Sequence, residues 1–237
     1  MKRAAILWVA IALMIAGCGG GGLVGPEVLT ATRGEVGAVM VSKGPVIDGT
    51  LNCKAWQLCP PLKLGKVSSD EIGQLKTIGR VLFDSTHMYV GFECIETNTG
   101  AIVADNSARD SDVWQDDAVE VFVSPDVRKG YFQFAVNSRG ALMDGKAGAW
   151  ERPDTAWNSK AIVKASVVKG KCWIVTMAIP LADLGAKAGA NQNWALNLNR
   201  SKPLGDGNFI ESSWSNKGAS DYHDSTGWGK VKGLKVP

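Results

Sequence analysis

The sequence predicts an all-β fold, an antiparallel β-sandwich of jelly-roll or immunoglobulin-like kind with about ten strands. Three observations lead there. From Gly44 onward, short runs rich in valine, isoleucine and aromatic residues are separated by Gly, Pro, Asn and Asp. No run sustains helical periodicity. Nothing helical separates consecutive strands, which argues against an alternating α/β fold.

The elements follow in order. Residues 23 to 43 form a leader in which Val36, Val39, Met40 and Val41 suit an edge strand. Cys53–Leu58 reads as a single helical turn. Strands are expected at Lys76–Phe83, Met88–Glu96, Ala118–Ser124, Tyr131–Asn137, Ile162–Val168, Trp173–Ile179, Trp194–Arg200, Glu211–Ser215 and Gly229–Leu234. Leu181–Leu184, after Pro180, reads as another helical turn. Most of the nine tryptophans read as core, since Trp173, Trp194, Trp214 and Trp228 lie in or beside strands and Trp56 sits in the first turn. Trp150 and Trp157 lie in a loop, Gly145–Lys160, and their role is open.

Alternation along a strand assigns faces. Val119, Val121 and Val123 point one way, and Glu120 and Phe122 the other. Phe132, Phe134 and Val136 share the apolar face of their strand, leaving Gln133, Ala135 and Asn137 opposite. Leu196 and Leu198 face the core, while Asn197 and Asn199 do not. Uncharged amides therefore gather around Glu120 on one sheet face. Each amide offers a donor and an acceptor together, which is what neutral polyols require.

The chain opens with Lys2 and Arg3, an apolar run from Ala4 to Ala16, and Gly17-Cys18. A spanning helix needs roughly 20 apolar residues, so this run reads as an export signal rather than a membrane span. Ile15-Ala16-Gly17-Cys18 resembles the bacterial lipobox, which implies removal of residues 1–17, acylation of Cys18 and attachment to the lipid bilayer. Gly19 after the cysteine implies sorting to the outer membrane, by resemblance to lipoproteins of Gram-negative bacteria. Residues 18–43 then form a glycine-rich tether and leader, and residues 44–237 the domain. Removing Lys2 and Arg3 brings the formal charge from +3 to +1. A near-neutral chain lacks the electrostatic footprint of a nucleic-acid-binding protein. Export leaves Cys53, Cys59, Cys94 and Cys172 in an oxidising compartment, where three pairings are open. Cys94 and Cys172, inside apolar strands, also suit buried thiols.

Residues 97 to 113 carry no strand pattern, and loops of that length are usually functional. Asp105, Asp110 and Asp112 lie there, a candidate calcium set through carboxylate oxygens, although the spacing matches no EF-hand. Asp116 and Asp117 follow. Trp114 stands at the loop-to-strand junction among polar neighbours, as an exposed platform would.

Several segments resemble carbohydrate-binding module family 9: Val46-Ile47-Asp48-Gly49 with Trp56; Val81-Leu82-Phe83-Asp84 with Met88-Tyr89-Val90; Trp114-Gln115-Asp116-Asp117-Ala118-Val119-Glu120-Val121-Phe122-Val123; Gln133-Phe134-Ala135-Val136-Asn137; Ser213-Trp214-Ser215; and His223-Asp224 before Trp228-Gly229. Their order is kept from about residue 44 to the C-terminus. The resemblance implies a β-sandwich that clasps a sugar ring between two aromatic side chains without hydrolysing it. Carried over by position, Trp114 is the first aromatic, Tyr222 the second, Glu120 the strand carboxylate and Asn199 a late-strand amide. Asp116, Gln133 and Asn137 complete the candidate set, with neutral sugars as the expected partners. Ala135 stands where the best-described members place arginine, and Ala219 where an asparagine contributes. Members also bind calcium structurally.

Three other classes compete: a glycoside hydrolase or an accessory to one, a haem-binding relative of the same sandwich class, and a structural or assembly lipoprotein that keeps the fold and has lost sugar binding. A glycoside hydrolase needs two carboxylates about 5 to 9.5 Å apart, and Glu120 with Asp116 or Asp117 supplies the residue types. Haem ligation by His87 and Met88 fails on geometry, because strand neighbours point to opposite faces.

Overall fold

The computed structural model describes residues 31–67, 75–216 and 221–237. The expectations on Cys18, on the glycine-rich tether and on Ala219 lie outside these residues. The strands are β1 (Ala31–Thr32), β2 (Glu35–Gly37), β3 (Leu62–Lys63), β4 (Gly65–Lys66), β5 (Thr77–Phe83), β6 (His87–Ile95), β7 (Ala118–Ser124), β8 (Tyr131–Asn137), β9 (Leu142–Ala147), β10 (Ile162–Val168), β11 (Cys172–Pro180), β12 (Gly189–Gly205), β13 (Asn208–Ser213) and β14 (Gly229–Val236). One helix, α1 (Lys54–Gln57), falls where a helical turn was expected. Leu181–Leu184 instead forms a non-helical turn, in which Leu181 O accepts from Ala186 N at 3.0 Å.

Two sheets pack face to face. The larger has nine strands in the order β1-β2-β14-β12-β7-β8-β9, with β13 on β12 and β4 on β13. The smaller has five, in the order β10-β11-β6-β5-β3. Pairing is antiparallel except between β2 and β14, which run parallel through Val36 opposite Val231. The leader thus supplies the expected edge strand, with a direction that alternation alone does not specify.

Strand β12 is 17 residues long because one edge serves two partners in turn. Its first half pairs with β14 and its second with β13, while β7 occupies the other edge. The sequence reading ended this strand at Arg200 and overlooked β9. Leu142-Met143-Asp144-Gly145-Lys146-Ala147 lacks β-branched residues and contains Asp and Gly, which depress strand propensity. It is nevertheless held as a strand by full pairing with β8.

The core lies between the sheets. Val119, Val121, Val123, Phe134, Val136, Leu196 and Leu198 meet Val90, Phe92, Cys94, Trp173, Val175 and Met177, all at most 2% exposed. Burial on this scale, at roughly 25 cal/mol per Å² of apolar surface, is what holds the sandwich together. Trp56, Trp173, Trp194, Trp214 and Trp228 are all buried, as expected for core residues. Trp157 packs on Phe132 with ring centres 5.2 Å apart. Cys59, Cys94 and Cys172 are free thiols, and burial pushes the Cys94 thiol up to about 12.

The outer face of the large sheet is not the open, solvated surface that its polar residues suggest. Phe122, Tyr131, Tyr222 and Trp228 form a second cluster over part of it. Val113 drops from the preceding loop onto Ala135 and Met143 over another part. A cleft remains between these two covers.

Candidate binding cleft

Strands β7 and β8 build the floor. Glu120 on β7 pairs in register with Ala135 on β8 and with Asn199 on β12. Glu120 is 4% exposed, and its Oε2 accepts a hydrogen bond from Gln133 Nε2 at 2.6 Å. Burial holds its pKa up at about 7, the Gln133 bond opposes that, and the charges of Glu211 and Asp221 add to it. Glu120 therefore exchanges its proton near neutrality.

The walls come from distant parts of the chain. The cleft, about 450 Å³, is lined by Trp114, Met143, Arg152, Ser201, Phe209, Glu211, Asp221, Tyr222 and His223 around the Glu120–Gln133 floor. That volume lies within the range of pockets for small molecules. Trp114 sits in a 3-10 turn, Val113–Gln115. Val113 is the core plug of this turn at 0% exposed, and its neighbour Trp114 is turned outward at 44%. Trp114 thus lines the cleft with its side chain exposed. Tyr222 also lines the cleft but is 9% exposed, and its hydroxyl lies 3.4 Å from both Arg200 O and Ser212 O.

Two acids and two bases share the wall. Arg152 Nη2 donates to Asp221 Oδ2 at 2.6 Å. Burial pushes the Asp221 carboxyl up, but the His223 backbone N–H and the Arg152 guanidinium outweigh it and hold it below its ordinary value. Burial first, and Arg152 next, lower the His223 imidazole to about 4. His223 is therefore neutral at physiological pH, with its Nδ1 2.7 Å from the Tyr131 hydroxyl.

The other sequence candidates lie elsewhere. Asn199 is fully buried, outside the cleft lining. It pairs in register with Glu120 on β7 and Ser213 on β13. Both amide atoms of Asn199 lack a partner among the described residues. Asp116 does not reach the cleft either. It accepts from the backbone N–H groups of Asp105 and Asn106 and from Asn137 Nδ2 at 2.8 Å. Asp116 and Asn137 thereby fasten the 97–113 loop to the sheet. Asp117 faces the core side, where Arg200 approaches it at 4.0 Å. Neither aspartate pairs with Glu120 as a hydrolytic dyad would. Among the described residues no group of three or more His, Cys, Asp or Glu side chains is placed to hold a metal ion. Asp110 is committed to the Asp144 backbone N–H at 3.2 Å, and Asp105 and Asp112 are exposed.

The sequence reading missed Phe209, Glu211 and Arg152. Alternation along β13 places Phe209, Glu211 and Ser213 on one face, but the expected strand starts at Glu211, three residues after the observed start at Asn208. Arg152 arrives on the loop after β9. Gly145 lets this loop fold down, since a Cβ there would stand 2.7 Å from Pro153 Cβ.

A β-sandwich with a cleft that is aromatic on its wall and carboxylate-and-amide on its floor has the chemistry of a binding domain for small polar molecules. The chain belongs to the carbohydrate family 9 binding domain-like family, whose model matches residues 47–235. The fold is shared with three solved structures. One is a protein from Bacteroides uniformis assigned to carbohydrate binding, 18% identical, with a TM-score of 0.68 over 84% of this chain and 98% of that one. Another is a family 9 carbohydrate-binding module from Caldicellulosiruptor kristjanssonii in complex with cellotriose, 17% identical, with a TM-score of 0.60 over 85% and 94%. A third, a family 9 module from that organism in complex with glucose, is 17% identical, with a TM-score of 0.61 over 84% and 96%. A search of curated proteins finds no match.

Proposed function

We propose that this chain is a non-catalytic carbohydrate-binding lipoprotein that holds neutral sugars in the cleft between Trp114 and the wall formed by Tyr222 and Phe209. The observation that carries the reading is the Glu120–Gln133 pair on the floor beside an exposed Trp114. The apolar face of a sugar ring packs on an indole, which is rigid and loses little entropy on contact. Glu120 then accepts from ring hydroxyls in charge-assisted hydrogen bonds, with Gln133 orienting it. Family membership supports carbohydrate as the ligand class, and the cellotriose and glucose complexes of the relatives make gluco-configured sugars the first to test.

Acylation at Cys18 anchors the domain to the cell envelope, at the outer membrane, where sugar capture serves polysaccharide catabolism. The lipobox-like Ile15-Ala16-Gly17-Cys18 supports this part of the proposal. A glycan array, followed by calorimetry on the hits, tests the binding function. Binding of neutral mono- or oligosaccharides without their hydrolysis is the expected result. An empty array, or release of new reducing ends, overturns it.

A further inference from the structure

We infer that the cleft continues into a second sugar subsite over Trp150, so that the domain holds at least two linked sugar residues. The inference rests on the carbohydrate reading and centres on Trp150, which does not line the Trp114 cleft. Trp150 is 89% exposed, more than any other large apolar side chain described. Its φ of +67° is a left-handed conformation that a bulky side chain rarely adopts. Such strain persists where surrounding structure enforces it, and it clusters at ligand contacts.

Here the enforcement is visible. Asp154 N donates to Lys146 O at 2.9 Å and Lys146 N to Asp154 O at 3.3 Å, closing the base of the loop. Inside it, Gly148 N donates to the Glu151 carboxylate at 3.2 Å, and the Tyr131 hydroxyl lies 3.0 Å from Glu151 O. The backbone around Trp150 is thus pinned while the indole stands in water. An indole displayed this way contributes nothing to the core and offers its face to a partner.

The partner's class follows from the surroundings. Trp150 borders a recess of about 250 Å³ whose other walls include Tyr131, Glu151, Arg152, Asp221 and His223. The last three also line the Trp114 cleft, so the two recesses meet across the Arg152–Asp221 ion pair. An aromatic platform beside carboxylates and a guanidinium suits a second polyhydroxylated ring joined to the first. The floor carboxylate then reads one sugar while Trp150 supports its neighbour along the chain.

Calorimetry on the full chain with glucose, cellobiose and cellotriose tests this. Cellotriose is expected to bind at least about fivefold tighter than glucose, the gain of one aromatic contact. Trp150→Ala should erase that difference and leave glucose affinity unchanged, Trp150→Phe should restore most of it, and Trp114→Ala should weaken all three sugars. Equal affinities for glucose and cellotriose, an intact difference in Trp150→Ala, or a uniform loss in that variant would each overturn the second subsite. Failure of all three sugars to bind would overturn the gluco-configured ligand and this subsite with it, whereas the carbohydrate reading falls only with an empty glycan array.

Discussion

Gln133 Nε2 reaches diagonally across two neighbouring strands to Glu120 Oε2, 2.6 Å away, although the register places Ala135 and not Gln133 opposite Glu120. The contact sits on the floor of the cleft, where water is scarce and the carboxyl is held up at about 7. A hydrogen bond to the ionised form favours it, but burial opposes it more strongly.

A ligand that donates hydroxyls to Glu120 selects the ionised form. Sugar affinity should therefore rise about tenfold between pH 6 and pH 8, in proportion to the ionised fraction. Stability moves the other way. Between the ordinary glutamate value and about 7, the folded state keeps a proton that the unfolded chain has lost, so raising pH through that window destabilises the fold, by roughly 3 kcal/mol in full. In Glu120→Gln both dependences should flatten. Calorimetry and urea unfolding across pH 5 to 8 check the two arms, and a pH slope unchanged in the variant would contradict the assignment.

Trp114 is exposed at the cleft and makes no core plug, a role that Val113 takes. Trp114→Ala should weaken sugar binding at least about fivefold, as loss of an aromatic hot spot does. The thermal midpoint should stay nearly the same. A core tryptophan would instead lose about 3 to 5 kcal/mol of stability, which denaturant titration would register at once.

Asp116 satisfies three donors on Asp105 and Asn106 besides Asn137 Nδ2. Asp116→Ala strands these groups, and a buried donor left unpaired costs about 1 to 3 kcal/mol. The expected signature is a lowered unfolding free energy with faster hydrogen exchange at residues 103 to 106. Unaltered exchange there would show that the loop is held by other contacts.

The family resemblance puts Ala135 where the best-described members place arginine, which makes Ala135→Arg an obvious way to seek tighter binding. The structure argues against that outcome. Ala135 is fully buried beneath Val113 and Met143, so Ala135→Arg should overpack the site and cost about 1 to 3 kcal/mol or more. The nearby cation is Arg152, already paired with Asp221; neither Lys146 nor Arg139 lines the cleft. Neutral sugars should thus bind more tightly than uronic acids, which Glu120, Glu211 and Asp221 repel. Tighter binding of glucuronate than of glucose would reverse this reading.

Anchoring is tested separately from binding. Cys18→Ser should abolish labelling by a lipid precursor and move the chain from the membrane fraction to the soluble one. Persistence in the membrane fraction would rule out acylation at Cys18 as the anchor. Several acyl chains, at about 0.8 kcal/mol per buried CH₂, would suffice for durable attachment.

The sequence by itself determined which side chains share a face. Strands β7, β8 and β10 fall at Ala118–Ser124, Tyr131–Asn137 and Ile162–Val168 as read, and Val119 and Glu120 point to opposite sides, because alternation is a local property of extended backbone. Only the tertiary structure decided what lies on top of each face. Glu120 and Gln133 meet in the cleft, whereas Asn137, on the same face, is spent on Asp116 and Asn199 is fully buried outside the cleft lining. Phe209, Glu211 and Arg152 come to the cleft from segments far from Glu120 in sequence. Which loop packs on which face depends on contacts between such distant residues, and no periodicity within one strand encodes them.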